Sequence, residues 1–426
     1  MCCRNMEKKK VVLLSMYWSS DAKEMLGSKH YFRELQPWVQ ETINLFKNKT
    51  DVELHVVAPN FASNTDVETI KDGIYFHFFN YAPRLLCGCV YPMVKLFVKH
   101  DEPHKVAERT VNFLTDFSLP KKKIPEIINR INPDLIHMYG SENPDYSVGI
   151  IPFLESSIPV LVSVQGYAYL LKKSNNFFLN WHARFRKKYE KIINTNVRYI
   201  TNYGLDYGFE PFENGQKKYV LSAITKIPPY DCLQSEIKYD VVFYARITKD
   251  KGIEDLIKAI SYLKKQGRLL KTIVVGRAVE EYKEYLDSLI AKEGVVDLID
   301  FTGFLDSHDD VYRMAASSRV LAFPSHNDVS PNTIRESMFM HLPIVAYKVG
   351  GVPYFNIRKE CLDLVEDGNI PAFAEELVRV IDNEEFRKNL IENAYEEAVN
   401  YYNPESIYNQ AINIYNDIWK NEKSIS

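Results

Sequence analysis

From Tyr239 to Val349 the chain alternates between two textures. "YDVVFYARI" (239–247), "KTIVVG", "LIDFTG", "RVLAFPS" and "PIVAYKV" are short, continuous apolar runs rich in β-branched and aromatic residues. Between them lie segments with helical periodicity. Ile253, Leu256, Ile257, Ile260 and Leu263 recur at helical spacing and Gly267 marks the end; 279–293, "HDDVYRMAASS" and "PNTIRESMFMHL" follow suit. A strand that is apolar on both faces must be covered on both. Helices placed between such strands give that cover and impose parallel order, so this stretch predicts a parallel sheet between two helical layers.

The first half repeats the theme less regularly. Strands are expected at "VVLLSMYW", "ELHVVAPN", "GIYFHFFNY", "DLIHMYG", "PVLVSVQG" and "RYITNY", and helices at 28–48, 103–116, 122–131 and 177–194. Between the halves, Pro228-Pro229 and weak periodicity suggest a linker. The chain of 426 residues exceeds what one core usually holds. The expected fold class is therefore α/β, with two doubly wound Rossmann-like domains facing across a cleft. The boundaries are an N-terminal domain over 8–225, a linker over 226–238 and a C-terminal domain over 239–403. A last helix, 404–426, is expected to cross back toward the first domain. A net charge of −3 gives no reason to expect nucleic acid as a partner. No apolar run approaches the roughly 20 residues that span a bilayer, and "VVLLSMYW" reads as a first buried strand in preference to a leader. Six cysteines are few, and Cys87-Gly-Cys89 is too tight for zinc spacing, which suits a reduced cytoplasmic setting.

Open α/β sheets bind ligands beyond the carboxyl ends of their strands. "HNDVSPNTIRESMFMHLPIVAYKVGG" (326–351) begins at such an end. Ser330 is expected to cap the next helix and Pro331 to sit in its first turn, with the helix running to about His341. Its N-terminus would offer free N–H groups to an anion. Glu336, a turn and a half inside, suits the paired hydroxyls of a ribose, and Asp328 lies nearer the reacting group. Arg246 and Lys251, in "YARITKDKG", place two cations at another strand end, where they suit a diphosphate. Gly276 follows a third strand. Gly303 and Phe304 follow a fourth, where the ring could pack against a base. Each of these alone reads as a surface charge or a turn glycine. Together, at successive strand ends of one sheet, they address a phosphorylated nucleotide.

The combination R-x4-K-G, a glycine after a strand, F-x-G, P-S-x-x-[D/E]-x7-E and a later G-G-x-P resembles the retaining glycosyltransferases of family 4, over about 236–400. That resemblance implies the two-domain GT-B fold and a nucleotide-diphosphate sugar as donor. It implies that Arg246 and Lys251 neutralise the diphosphate, that Glu336 holds the ribose, and that Asp328 contacts the donor sugar. "SPNT" stands where the family has Gly-Phe-Gly, so Ser330, Asn332 and Thr333 are expected to supply hydrogen bonds in place of glycine amides. No D-x-D triplet occurs, and no metal or other cofactor is expected. The implied activity is that of a retaining hexosyltransferase acting on a saccharide or lipid-linked acceptor, in surface polysaccharide or glycan synthesis. Two alternatives stay open: a nucleotide-sugar epimerase of the same architecture, and a catalytically silent partner that binds a glycan or another transferase.

The acceptor side matches the family in outline. Gly27 stands where the family has a glycine-rich loop; a helix cap explains it equally well. Tyr139, Gly140, Gln165 and Gly166 would line the cleft, with Gln165 in the catalytic position where many members have His. His137 lies inside an apolar strand and reads as a satisfied core residue. The stretch 171–191 mixes seven cations with Phe177, Phe178, Leu179 and Trp181 against one acid, Glu190. It fits an anionic membrane surface on the inner face of the cell membrane, or an ordinary helix with its aromatics buried.

Overall fold

The computed structural model describes residues 8–28, 37–63, 65–97, 103–171, 173, 177–202 and 209–425. Contacts divide the chain into two units, one of Met1–Asn202, Gly208–Leu221 and Tyr408–Ser426, the other chiefly Ser222–Ile407. Both are α/β, as the alternation requires.

The first unit holds β1 (Lys9–Leu14), β2 (Val52–Pro59), β3 (Val67–Lys71), β4 (Ile74–Phe79), β5 (Leu135–Tyr139), β6 (Val160–Ser163), β7 (Tyr199–Asn202) and β8 (Lys217–Val220), in the order β3-β4-β2-β1-β5-β6-β7-β8. All neighbours are parallel except the β3–β4 pair. β3 and β8 are not apparent in the sequence because they are edge strands with half-exposed, charged faces ("VETIK", "KKYV") and lack the apolar run of a central strand. Where one helix was expected over 28–48, helices run Ser20–Met25 and Pro37–Leu45; residues 29–36 of that expectation lie outside the described residues. The helix Arg84–Phe97 was not expected. The final helix, Pro404–Ile425, packs on this unit from Tyr408 onward. Tyr415 bonds His137 at 2.7 Å, and Trp419 Nε1 donates to the Asp134 carbonyl at 3.0 Å.

The second unit holds β9 (Tyr239–Tyr244), β10 (Thr272–Val275), β11 (Ile299–Gly303), β12 (Ser318–Phe323), β13 (Ile344–Tyr347) and β14 (Asp363–Val365), in the order β11-β10-β9-β12-β13-β14, all parallel. The apolar runs are its buried strands: Val241, Val242, Val274, Val320, Leu321, Ile344 and Val345 are fully covered. The stretch expected as a linker, 226–238, packs into this unit instead. Cys232 is fully buried in its core and Lys226 pairs with Asp309 at 2.7 Å. Its prolines broke the periodicity without removing the apolar anchors.

Candidate functional site

In the second unit the carboxyl ends of β9, β12 and β13 lead into loops that meet at Asp328. The loop after β9 makes a short turn over Lys249–Lys251, and the Asp250 carbonyl accepts from the His326 amide at 2.9 Å. Lys251 Nζ stands 2.6 Å from Asp328 Oδ2, both side chains largely buried, and Ser325 Oγ donates to the same oxygen at 3.3 Å. From β13 comes the glycine pair. The Gly351 amide donates to the Asp328 carbonyl at 2.9 Å. A Cβ on Gly350 would stand 2.0 Å from that carbonyl oxygen, and one on Gly351 would stand 1.8 Å from that of Val329. Only glycine lets the two backbones approach so closely. The glycine turn therefore holds the loop that carries Asp328.

The helix after β12 runs Asn332–Phe339, shorter at both ends than expected. Pro331 occupies the cap position and no side chain caps the first turn. Ser330 was expected to do so, but its Oγ accepts from the Arg335 guanidinium at 2.6 Å. Arg335 is only 1% exposed and also donates to the Ser330 carbonyl at 3.1 Å and to Asn332 Oδ1. Thr333 is tied to β9: its carbonyl accepts from the Tyr244 hydroxyl at 2.8 Å, and its Oγ1 donates to the Tyr244 carbonyl at 3.4 Å. The side chains of Ser330, Asn332 and Thr333 thus build the loop. The first-turn backbone has no side-chain cap, and a buried guanidinium lies one turn on.

Glu336 is buried one turn on. Thr225 Oγ1 donates to its carboxylate at 3.4 Å, and burial pushes its carboxyl up to about 7. Thr225 comes from just before the stretch expected as a linker. Arg246 lies two residues past the end of β9 and is exposed, so it and Lys251 are not held alike. Gly276 (φ +146) follows β10, where a Cβ would stand 2.2 Å from the Ala245 carbonyl oxygen. Phe304, after Gly303 at the end of β11, is 64% exposed and offers a free ring face.

In the first unit, Tyr139 closes β5 with its ring buried, and its carbonyl accepts from the Tyr146 hydroxyl. Gln165 and Gly166 lie two and three residues past β6 and are half-buried. The φ of Gly166 is not positive and a Cβ there would meet open space, so no turn at this position requires a glycine. The loop's shape comes from Glu190, whose carboxylate accepts from the amides of Ala168 at 2.6 Å and Tyr169 at 2.9 Å. Burial pushes this carboxyl also up to about 7. Its status as the lone acid of a basic stretch was the only sequence signal for it. Gly27 (φ +60) ends the helix Ser20–Met25, its amide donating to the Glu24 carbonyl at 3.1 Å, which is a helix-closing position. His137 is fully buried with both ring nitrogens bonded, to Tyr415 and Ser163, and burial holds it down at about 3. In the 171–191 stretch, Trp181 and Phe185 pack against Phe113 inside the unit. Among the described residues no helix is long and apolar enough to cross a membrane, and no group of three or more His, Cys, Asp or Glu could hold a metal.

Residues 233–397 match the family model described as glycosyl transferases group 1, so a domain of that family is present. Alpha-D-kanosaminyltransferase of Streptomyces kanamyceticus is 29% identical over 163 residues, 36% of this chain and 39% of that protein. The capsular polysaccharide biosynthesis glycosyltransferase CapM of Staphylococcus aureus is 24% identical over 174 residues, 39% of this chain and 42% of that protein. The matches thus span about two fifths of those relatives. Among solved structures, sucrose-phosphate synthase of Thermosynechococcus elongatus shares the fold with a TM-score of 0.66 at 15% identity, covering 97% of this chain and 100% of that one. Anabaena HepE in complex with UDP does so with a TM-score of 0.62 at 15% identity, covering 96% and 100%. These likenesses give the fold: two Rossmann-like α/β domains of the GT-B class.

Proposed function

We propose that this chain transfers a hexose-type unit from a nucleotide-diphosphate sugar to a saccharide or lipid-linked acceptor, with retention, in polysaccharide or glycan synthesis. The observation that carries the reading is the Lys251–Asp328 pair beside the uncapped N-terminus of Asn332–Phe339, inside the stretch that matches the family model. An ammonium beside Asp328 and a helix N-terminus without a side-chain cap four residues on are groups that suit an anion. In this reading Lys251 exchanges Asp328 for the donor diphosphate. The freed Asp328 carboxylate then accepts from the donor sugar's hydroxyls. Arg246 closes on the diphosphate from solvent, Glu336 holds the ribose, and Phe304 stacks on the base. Gly276 keeps the β10 end close to the β9 end so that the diphosphate can lie across both. Catalysis is mostly electrostatic stabilisation of the leaving diphosphate and of an oxocarbenium-like sugar. Fixed cations supply that charge without a resident metal. We assign Gln165 to substrate positioning, since its amide can donate and accept but does not titrate; Tyr139, Gly166 and Gly27 fall on the acceptor side of the assignment. The relative solved with UDP and the relative named for capsular polysaccharide support the donor class and the setting.

A thermal-shift screen of nucleotide sugars, followed by proton NMR of the product's anomeric signal, tests the reading. A donor that stabilises the protein and gives a product of retained configuration, with unchanged rate under chelator, is the expected outcome. An inverted product, or turnover of donor to an epimer without acceptor, would refute it.

A further inference from the structure

In the first unit four side chains form a line across three neighbouring strands. Glu53 and His55 come from β2, His77 from β4, and Glu68 from β3, where it stands opposite His77 in the antiparallel register. Glu53 Oε1 lies 2.9 Å from His55 Nε2, His55 Nδ1 lies 3.0 Å from His77 Nε2, and His77 Nδ1 lies 3.3 Å from Glu68 Oε1. Both imidazoles are buried. Their planes differ by 21° while their centroids stand 5.3 Å apart, so the two facing nitrogens meet edge to edge and nearly in line. A gap of 3.0 Å holds a hydrogen. A metal ion on the same line would need about 4 Å.

The hydrogens these bonds need fix the charge. A carboxylate only accepts, so His55 Nε2 and His77 Nδ1 must each carry a hydrogen. With only those two in place, the facing nitrogens would be bare lone pairs that repel. One more hydrogen closes the central bond, and three hydrogens on two rings make one imidazole and one imidazolium. A fourth would set N–H against N–H. Burial also holds His55 below the ordinary histidine range, with the facing His77 acting the same way and Glu53 against it. The neighbours suit one positive charge. Lys10 of β1 stands 3.9 Å from Glu53, Arg130 of the helix Ser118–Ile131 bonds Glu68, and the Tyr75 ring of β4 stacks on His55 at 4.7 Å.

We infer that His55 and His77 hold one proton in common, and that this proton is a pH-sensitive latch on the edge strand β3. Without it two hydrogens remain for three bonds, and one bond opens. The bond to Glu68 is the one that gives way. It is the longest of the three, and Glu68 is half exposed with Arg130 as its other partner. β3 stands at the edge of the sheet beside β4, so it loses this tie when the proton leaves. The folded pair keeps its one proton more firmly than a free imidazole does, because losing it costs a bond. That contribution to stability is present near the ordinary histidine value of about 6.5 and is lost as pH rises past the pair's own, higher value. Below about 6.5 an unfolded chain takes up a second proton that the folded pair refuses, so the latch weakens on that side too. The inference does not depend on the transfer reading, since it needs neither donor nor turnover.

The test uses the full chain. With histidine labelled by nitrogen-15, ring spectra at about pH 6.5 should show three protonated nitrogens and one bare nitrogen in the pair; His55→Gln and His77→Gln assign the signals. Hydrogen exchange read by mass spectrometry, corrected for the intrinsic effect of pH on exchange, gives the local readout. Protection of Val67–Lys71 should fall by about tenfold or more between about pH 6.5 and pH 9, as the loss of one charged hydrogen bond implies. Protection of β1 should stay level. His77→Gln has no proton to share and should show no such fall in β3. Two bare nitrogens in the pair at the lower pH, equal protection of Val67–Lys71 at both pH values, or the same fall in His77→Gln would overturn the inference. Should the variants not fold, the parent's exchange decides alone: level protection of Val67–Lys71 refutes the latch.

Discussion

Glu336 allows a perturbation whose two effects run in opposite directions. Burial raises its carboxyl from 4.5 to about 7, and one pKa unit is about 1.36 kcal/mol, so the fold disfavours the ionised form by on the order of 3 kcal/mol. The folded value lies above the unfolded one. The stabilisation from the protonated carboxyl is therefore complete below the ordinary Glu range and is lost as pH rises through about 7. Glu336→Gln keeps the shape and cannot ionise. At about pH 8 it should be more stable than the parent, by at most about 3 kcal/mol, while at about pH 4 the two should match. For a domain of this size each kcal/mol moves Tm by about 2–4 °C, giving an upper bound of about 6–12 °C by scanning calorimetry. Nucleotide-sugar affinity should fall instead, because the amide has one acceptor where the carboxylate has two. That loss is on the order of 1.5–3 kcal/mol by titration calorimetry. A variant whose Tm difference from the parent is the same at both pH values, or that is less stable at the higher one, refutes the burial argument. Undiminished donor affinity refutes the ribose assignment separately.

Lys251→Ala should cost about 1–3 kcal/mol in urea unfolding, because it leaves the Asp328 carboxylate largely buried without its cation. Adding Asp328→Asn should restore stability but not affinity for the nucleoside diphosphate; restored affinity would show that the cation does not meet phosphate. Gly351→Ala should cost about 2–4 kcal/mol and abolish transfer, since its Cβ would force the Asp328–Val329 backbone away. Parental stability and activity in that variant would mean the glycine pair is a mere turn.

How much the sequence disclosed depended on what kind of force held each part. The buried strands of the second unit were legible because burial on both faces leaves continuous apolar runs. The charged edge strands β3 and β8 were not, since half-exposed strands lack such a signature. The helix Arg84–Phe97 escaped notice for the opposite reason, being apolar all round with Gly88 and Pro92 inside it. At the site, Asp328, Lys251 and Glu336 were identifiable by residue type and spacing. Their partners were not: the Lys251–Asp328 pair spans 77 positions and the Thr225–Glu336 bond spans 111. Arg335 gave no signal, because an arginine in a short polar helix reads as a solvated charge.

Arg335 also changes what the "SPNT" substitution means. With polar side chains in place of glycines, the simple expectation is that those side chains meet the ligand. In the structure they turn on the arginine and on Tyr244. A guanidinium near a helix N-terminus is ordinarily unfavourable, since it opposes the positive end of the dipole. Here three acceptors from Ser330 and Asn332 offset that cost. The result is a loop fixed by side chains whose outward chemistry is still that of backbone N–H groups, with an added fixed positive charge behind them. A glycine-built loop reaches the same anion by flexibility and close approach. In the proposed reading this one would meet it with a loop already fixed by a buried cation before any ligand arrives, so part of the ordering cost of binding would be met in folding.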